Sequence, residues 1–290
     1  MSESARLYDV RYSRYAGNRE PRWRGVLALA RSSTTRALGI RRTRGAKVWP
    51  FLLIASAHLP AVGALSIPLL VDGAPPALEL IPYLNLLTIV LPVVIAFAAT
   101  TLPSLLTRER RDMVLSLYFS TALSPREYVA GKVLAAVALM SLVLLSPLLV
   151  LLVGSVLTAD EPLALLRERG DELLPVLGGG LLMACYFAAL GLLAGALTAK
   201  RLFAVGGLLA VLLVTPVVAG LVAEFGDRPD VLAADLSLAP LRAADALLPG
   251  EPFGGNAPRP ADGLVRAVVG GVLLLSTAVL AVRYRDGSDA

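Results

Sequence analysis

Charge is what this 290-residue chain has least of: Asp, Glu, Lys and Arg together make up 17% of it, against 56% hydrophobic residues. A soluble helical bundle keeps a polar face on each surface helix. Six stretches here run for 16 to 28 residues without a charge, which excludes that architecture. Histidine and cysteine occur once each, as His58 and Cys185. One cysteine rules out an intrachain disulfide, and its place within an apolar run reads as a small buried hydrophobe. With one histidine, one cysteine and no paired carboxylates inside the apolar runs, no metal set and no catalytic constellation is expected. A glycine-rich phosphate loop is missing too: no Gly-x-x-x-x-Gly-Lys-Ser/Thr occurs, and Ala130-Gly131-Lys132-Val133 lacks both the upstream glycine and the hydroxyl. The chain is therefore expected to carry no cofactor and to hydrolyse no ATP by itself.

What is present is apolar length. The charge-free runs hold 24, 28, 27, 27, 22 and 16 residues, and about 20 apolar residues in a helix cross ~30 Å of hydrocarbon. The last run is short only because Arg266 lies near its start, where a long arginine stem reaches the interface. These runs predict an all-α polytopic membrane protein with spans over about 48–71, 81–106, 133–157, 173–199, 202–223 and 263–282. A 1–47 leader, a 107–132 segment and a 224–262 outer loop complete the layout. If the N-terminus is cytosolic, 21 of the 27 Lys and Arg residues fall on the cytosolic side. The positive-inside rule then predicts that both termini are cytosolic. Residues 1–47 are polar and basic before the first apolar run begins, unlike a secretory signal, so the first span is expected to persist in the mature protein.

Two cytosolic segments are sizeable. In the leader, Trp23, Val26, Leu27, Ala30, Thr34, Ala37 and Leu38 follow Pro21 at helical spacing, with Arg24, Arg31 and Arg36 on the other side and Arg41, Arg42 and Arg44 just beyond. That pattern suits an amphipathic helix lying at the headgroups of an anionic leaflet; the other reading is a basic leader that only enforces orientation. In the second segment, Glu109, Arg110, Arg111 and Asp112 end the second span by Thr107, because each such charge costs about 2.5 to 3.5 kcal/mol near the bilayer centre. Met113, Val114, Leu117 and Tyr118 then offer an apolar surface. Ser124 followed three residues later by Glu127 is a capping box, and Pro125 at the first helical position starts a new helix. No breaker separates Pro125 from the third span, so that helix is expected to continue into the membrane with Lys132 snorkelling at the boundary. Connections of this kind usually take about 2 to 8 residues. A longer one with its own caps reads as a rigid lever joined to spans two and three.

The 107–132 segment resembles the signature region of type-2 ABC exporter permeases. The matching residues are Glu109, Leu115, Leu117, Ser120, Leu123, Ser124, Tyr128, Gly131 and Lys132, while Met113 and Val114 stand where the family often has Gly-Thr. Tyr12, Tyr15, Gly17 and Arg19 are similar to a Tyr-x-x-Tyr-x-Gly-x-Arg opening of some bacterial members. The resemblance implies a permease in a bacterial cytoplasmic membrane, paired with an identical or similar second permease and with two separate ATP-binding subunits that hold ATP and Mg²⁺. It implies that Glu109, Arg110, Arg111 and Asp112, with Ser124, Pro125 and Glu127, couple the permease to those ATPases. The exported substrate would be hydrophobic or amphipathic. Besides these proteins the expected partner is the lipid bilayer, and no nucleic acid. A non-transporting membrane anchor for an ABC ATPase, used for sensing or for work on envelope components, would keep the same lever.

Three features keep alternatives open. His58 lies near the middle of span one beside Ser56 and Pro60, where it either lines a pathway or makes a helix–helix hydrogen bond. Gly191 and Gly195 in span four suit close helix approach, at a dimer seam or within the bundle. In the outer loop, Leu236, Leu238, Leu241, Ala244, Leu247 and Leu248 recur at helical spacing. The resemblance implies a short helical pair dipping into the outer leaflet there; the other reading is a surface helix on an ordinary loop.

Overall fold

The computed structural model describes residues 21–40, 44–112, 123–159, 161–250, 253–255 and 259–285. Among them every regular element is helical. The leader motif around Tyr12–Arg19, the Arg41 and Arg42 pair, and the apolar residues Met113 to Ser120 lie outside the described residues.

Helix α1 (Arg22–Ala37) starts directly after Pro21 and buries Leu29, Ala30 and Ser33, while Trp23 and Leu27 stay exposed. It ends in a Schellman motif: Ile40 N–H bonds Thr35 O, Gly39 N–H bonds Arg36 O, and Gly39 has φ +70. Glycine takes that left-handed conformation at no Cβ cost.

Six helices are long and apolar enough to cross a membrane. The first, α2 (Arg44–Leu70), contains Pro50, Pro60 and Pro68, and a short α3 (Ala77–Leu80) follows it. The second span is α4 (Tyr83–Thr101) continued by α5 (Ser104–Arg111), with a break at Leu102 and Pro103. Proline supplies no N–H at that point, so the ladder is interrupted there. The third is α6 (Pro125–Leu157), 33 residues without interruption. A short exposed α7 (Pro162–Arg169) and a 3₁₀ turn (Gly170–Glu172) lead into the fourth, α8 (Leu173–Leu197). The fifth, α9 (Arg201–Gly226), stops at Asp227, which takes φ 48. The sixth is α11 (Asp262–Arg283), whose Arg266 turns back toward Asp262.

Packing is centred on α6 and α8, which lie against one another, with α1 and α2 also on α6 and α11 on α8. Spans two and four are the most enclosed; spans one, five and six keep most of their apolar surface uncovered. Leu69, Leu70, Leu202, Phe225 and Leu274 are among the uncovered side chains. Lipid tails are as apolar as leucine, so such a surface costs nothing in a bilayer.

Two glycines bring α8 close to span two. A Cβ on Gly191 would lie 2.4 Å from Leu102 Cβ, and one on Gly195 would lie 2.9 Å from Pro103 O. The Gly-x-x-x-Gly pair thus packs internally, against the break in span two. In the 224–262 segment a 3₁₀ turn (Pro229–Ala234) and α10 (Ala239–Asp245) dock on α8, α9 and α11 instead of standing on the surface. Ala239, Leu241, Ala244 and Leu248 are buried, and Leu248 fills the space over Gly179. Asp235 Oδ1 accepts from Ser237 N and Leu238 N, which holds the start of α10. Tyr186 donates to the Leu236 carbonyl at 2.9 Å, tying this segment to α8.

Candidate functional site

The residues expected to be cytosolic gather at one end of the bundle, and its centre is a buried ionic clasp. Glu109 on α5 is 5% exposed and Lys132 on α6 is 2% exposed. Lys132 Nζ donates to Glu109 Oε1 at 2.6 Å and to Ser33 Oγ at 3.0 Å. Tyr128 hydroxyl donates to Glu109 Oε2 at 2.7 Å, so both carboxylate oxygens are engaged. The Arg36 guanidinium lies 3.4 Å from Glu109 Oε1, and Lys132 Nζ sits 5.3 Å from the Tyr128 ring centre.

Local sequence explains how these groups converge. Tyr128 and Lys132 are four residues apart and share one face of α6; Ser33 and Arg36 are three apart on α1. Gly131 lets α1 come close, since a Cβ there would lie 2.9 Å from Leu29 and 3.2 Å from the Val26 carbonyl. Tyr284, just past α11, packs on Tyr128 with ring centres 5.5 Å apart. Burial pushes the Tyr284 phenol up to about 12, so it remains a neutral hydroxyl. Helices α1, α5 and α6 therefore meet at one carboxylate, and the end of α11 packs behind Tyr128.

A family profile described as ABC-2 family transporter protein matches residues 70–243, more than half of the chain. The chain belongs to that family. It is a multi-pass membrane permease, and ABC-2 permeases generally work with ABC ATPase subunits and pair as dimers. No curated protein matches the chain. The matched region contains Glu109, Tyr128 and Lys132, whereas Ser33, Arg36 and Tyr284 lie outside it.

Three side chains of this permease point elsewhere than the sequence suggests. Glu109 does not present its carboxylate to a partner surface; it points inward to α1 and α6. Lys132 does not snorkel to the interface, because its ammonium is held inside by that same carboxylate. Arg110 also turns inward, donating to the Ala196 carbonyl in the last turn of α8 at 3.0 Å. A cation at a helix C-terminus meets orphan carbonyls and the negative end of the dipole.

Of the remaining candidates, Arg111 and Asp112 are exposed and lie 3.4 Å from one another, with Arg108 also 3.6 Å from Asp112. Ser124 and Glu127 form the capping box: Ser124 N–H donates to Glu127 Oε2 at 2.7 Å, and Glu127 N–H to Ser124 Oγ at 3.4 Å. Pro125 takes the first helical position. Arg126 beside them is exposed. His58 lies far from this end, 2.8 Å from the Ile54 carbonyl through Nδ1 and 2.8 Å from Ser146 Oγ through Nε2. It joins α2 to α6.

Sequence reasoning missed Ser33, Arg36 and Tyr284 in the clasp. A usable signal existed for the first two: a serine and an arginine one turn apart on α1, with a lysine and a glutamate at the ends of adjacent spans. It also missed Trp49 and Arg201, which bond Thr100 Oγ1 at 3.2 Å and Thr100 O at 3.1 Å.

Proposed function

We propose that the chain is the permease subunit of an ATP-driven exporter of hydrophobic or amphipathic substrates across a bacterial cytoplasmic membrane. In this reading both termini are cytosolic. The permease acts as one of a pair, identical or similar, with two separate ATP-binding subunits. ATP and Mg²⁺ belong to those subunits, because the basic end of this chain offers no glycine-rich phosphate loop.

The observation that carries the reading is the clasp at Glu109. It makes α1, the end of span two and the start of span three one cytosolic unit, braced by Tyr284 at the end of span six. Force applied to the exposed side of that unit would tilt spans two and three together and not bend a loop. Arg111, Asp112 and Arg126 stand at the two ends of the connection between those spans and are exposed. The capping box stiffens the start of α6, so that a push at Pro125 travels along a continuous helix.

The test reverses charge at Arg111 and Arg126 in a permease reconstituted with its ATPase. Loss of substrate-stimulated ATP turnover, with insertion and amount in the membrane unchanged, is expected. Unchanged coupling would remove the assignment. Efflux from vesicles separates an exporter from a non-transporting anchor: an anchor would keep coupled ATP turnover with no substrate movement.

A further inference from the structure

Residues 158–172 join spans three and four, a longer stretch than the roughly 2 to 8 residues that a connection between neighbouring helices takes. Within it α7 (Pro162–Arg169) forms a helix of 8 residues, none of them buried. It rests on the end of α6 and on the 3₁₀ turn that follows it. A lone helix is marginal in water below about 12 residues. Packing within the bundle therefore gives α7 little reason to form, and a further surface is needed.

The side chains of α7 identify that surface. Leu163 and Leu166, one turn apart, are 73% and 54% exposed, and Glu168 stands on the opposite side of the helix. In the chain α7 lies between Leu157, at the end of span three, and Leu174, at the start of span four, which are both largely uncovered. The leucine side thus extends a surface that faces lipid on the spans themselves. Charges bracket the apolar run, with Glu161 before it and Arg167, Glu168 and Arg169 after it.

A tether fixes the depth. Arg169 lies 3.4 Å from Glu172 Oε1, and the Tyr83 hydroxyl donates to Glu172 Oε2 at 2.8 Å. Tyr83 is the first residue of α4, so the charged end of α7 is bound to the start of span two. Tyrosine at a span end sits at the headgroup level. With its charged end held there, the leucine half of α7 is free to enter the leaflet. A second protein is a poorer match, since two leucines on so short a helix fall far below the roughly 800 Å² per partner of a stable protein interface.

We propose that α7 is an interfacial helix, laying Leu163 and Leu166 into the leaflet at the end of the bundle away from the Glu109 clasp. Arg167 and Glu168 stay among the headgroups, where the long arginine stem can follow the apolar side and keep its charge in water. The helix then acts as a float that sets the depth at which spans three and four end. This requires neither a substrate nor the ATPase, so it stands or falls apart from the exporter reading.

Cys185→Ala removes the one native cysteine. On that background Leu163→Cys, Leu166→Cys and Glu168→Cys each receive a nitroxide, in full-length protein in phosphatidylcholine vesicles. Oxygen concentrates in hydrocarbon and nickel–EDDA in water, so the ratio of the two accessibilities reads depth. Labels at 163 and 166 should shift toward oxygen and the label at 168 toward nickel. Leu274→Cys, on the uncovered side of span six, should favour oxygen and shows that the bundle is inserted. With that control in place, nickel-favouring labels at all three positions would put α7 in water and overturn the proposal. Labels at 163 and 166 shielded from both reagents would put protein over the helix and overturn it equally.

Discussion

Lys132 Nζ and Glu109 Oε1 lie 2.6 Å apart, on side chains that are 2% and 6% exposed and 23 positions apart in the chain. Two charges removed from water this completely are stable only as a set, because the desolvation of each is repaid by the other and by their hydrogen bonds. Deleting one member of a buried pair typically costs about 3 to 5 kcal/mol, whereas an apolar pair of similar volume is often tolerated. Glu109 retains Arg36 and Tyr128 if Lys132 is lost; Lys132 retains the Ser33 hydroxyl and the Tyr128 ring, but no carboxylate among the described residues, if Glu109 is lost. Glu109→Leu should therefore destabilise more than Lys132→Met, and the double variant less than Glu109→Leu alone. Thermal unfolding in detergent gives the order directly. Equal effects of the two single variants would mean that Arg36 contributes nothing to holding the carboxylate.

The close approach of α8 to span two yields a steric prediction. Gly191→Ala and Gly195→Ala each place a methyl against Leu102 or Pro103, at 2.4 and 2.9 Å, and the Gly195 contact is with backbone. Overpacking of this kind costs about 1 to 3 kcal/mol. Gly206→Ala has nothing within 4 Å and should be neutral or stabilising. Melting temperatures of the three variants test the contrast. A harmless Gly195→Ala would show that the two helices can separate without loss.

Apolar length and charge sorting are one-dimensional properties, which is why the six spans are legible in the sequence itself. The capping box at Ser124 is legible for the same reason: all its partners lie within four residues. Glu109 and Lys132 are visible as charges at span ends, but a sequence carries depth better than direction. An isolated lysine at a membrane boundary snorkels by default; the buried Glu109 carboxylate, with Ser33 arriving on α1, turns it inward. Likewise the Gly191 and Gly195 motif announces a close contact without naming the Pro103 break as its partner.

Ser124 carries the N-cap of α6 with good reciprocal geometry, 2.7 Å one way and 3.4 Å the other. Ser124→Ala removes the acceptor for Glu127 N–H and should cost about 1 kcal/mol. Glu127→Gln keeps a side-chain oxygen for the Ser124 N–H and should cost less. If the start of α6 transmits force, Ser124→Ala also lowers substrate-stimulated ATP turnover more than its effect on stability explains. Turnover per folded molecule, compared between the two variants, decides this.

His58 supplies the last contrast, between a structural bond and a transport pathway. The Ile54 carbonyl can only accept, so Nδ1 carries a proton, and Nε2 lies 2.8 Å from the Ser146 hydroxyl. That hydroxyl is shared with the Leu142 carbonyl at 2.5 Å, which weakens its claim on the ring. Hydrogen bonds between membrane helices average about 0.6 kcal/mol and reach about 1.7 at most. A double-mutant cycle of His58→Ala and Ser146→Ala should therefore give a coupling energy within that range, and nearer its lower end. Transport should fall in His58→Ala only as far as stability does. A loss of efflux with unchanged stability, and with Ser146→Ala silent, would instead place His58 on the pathway.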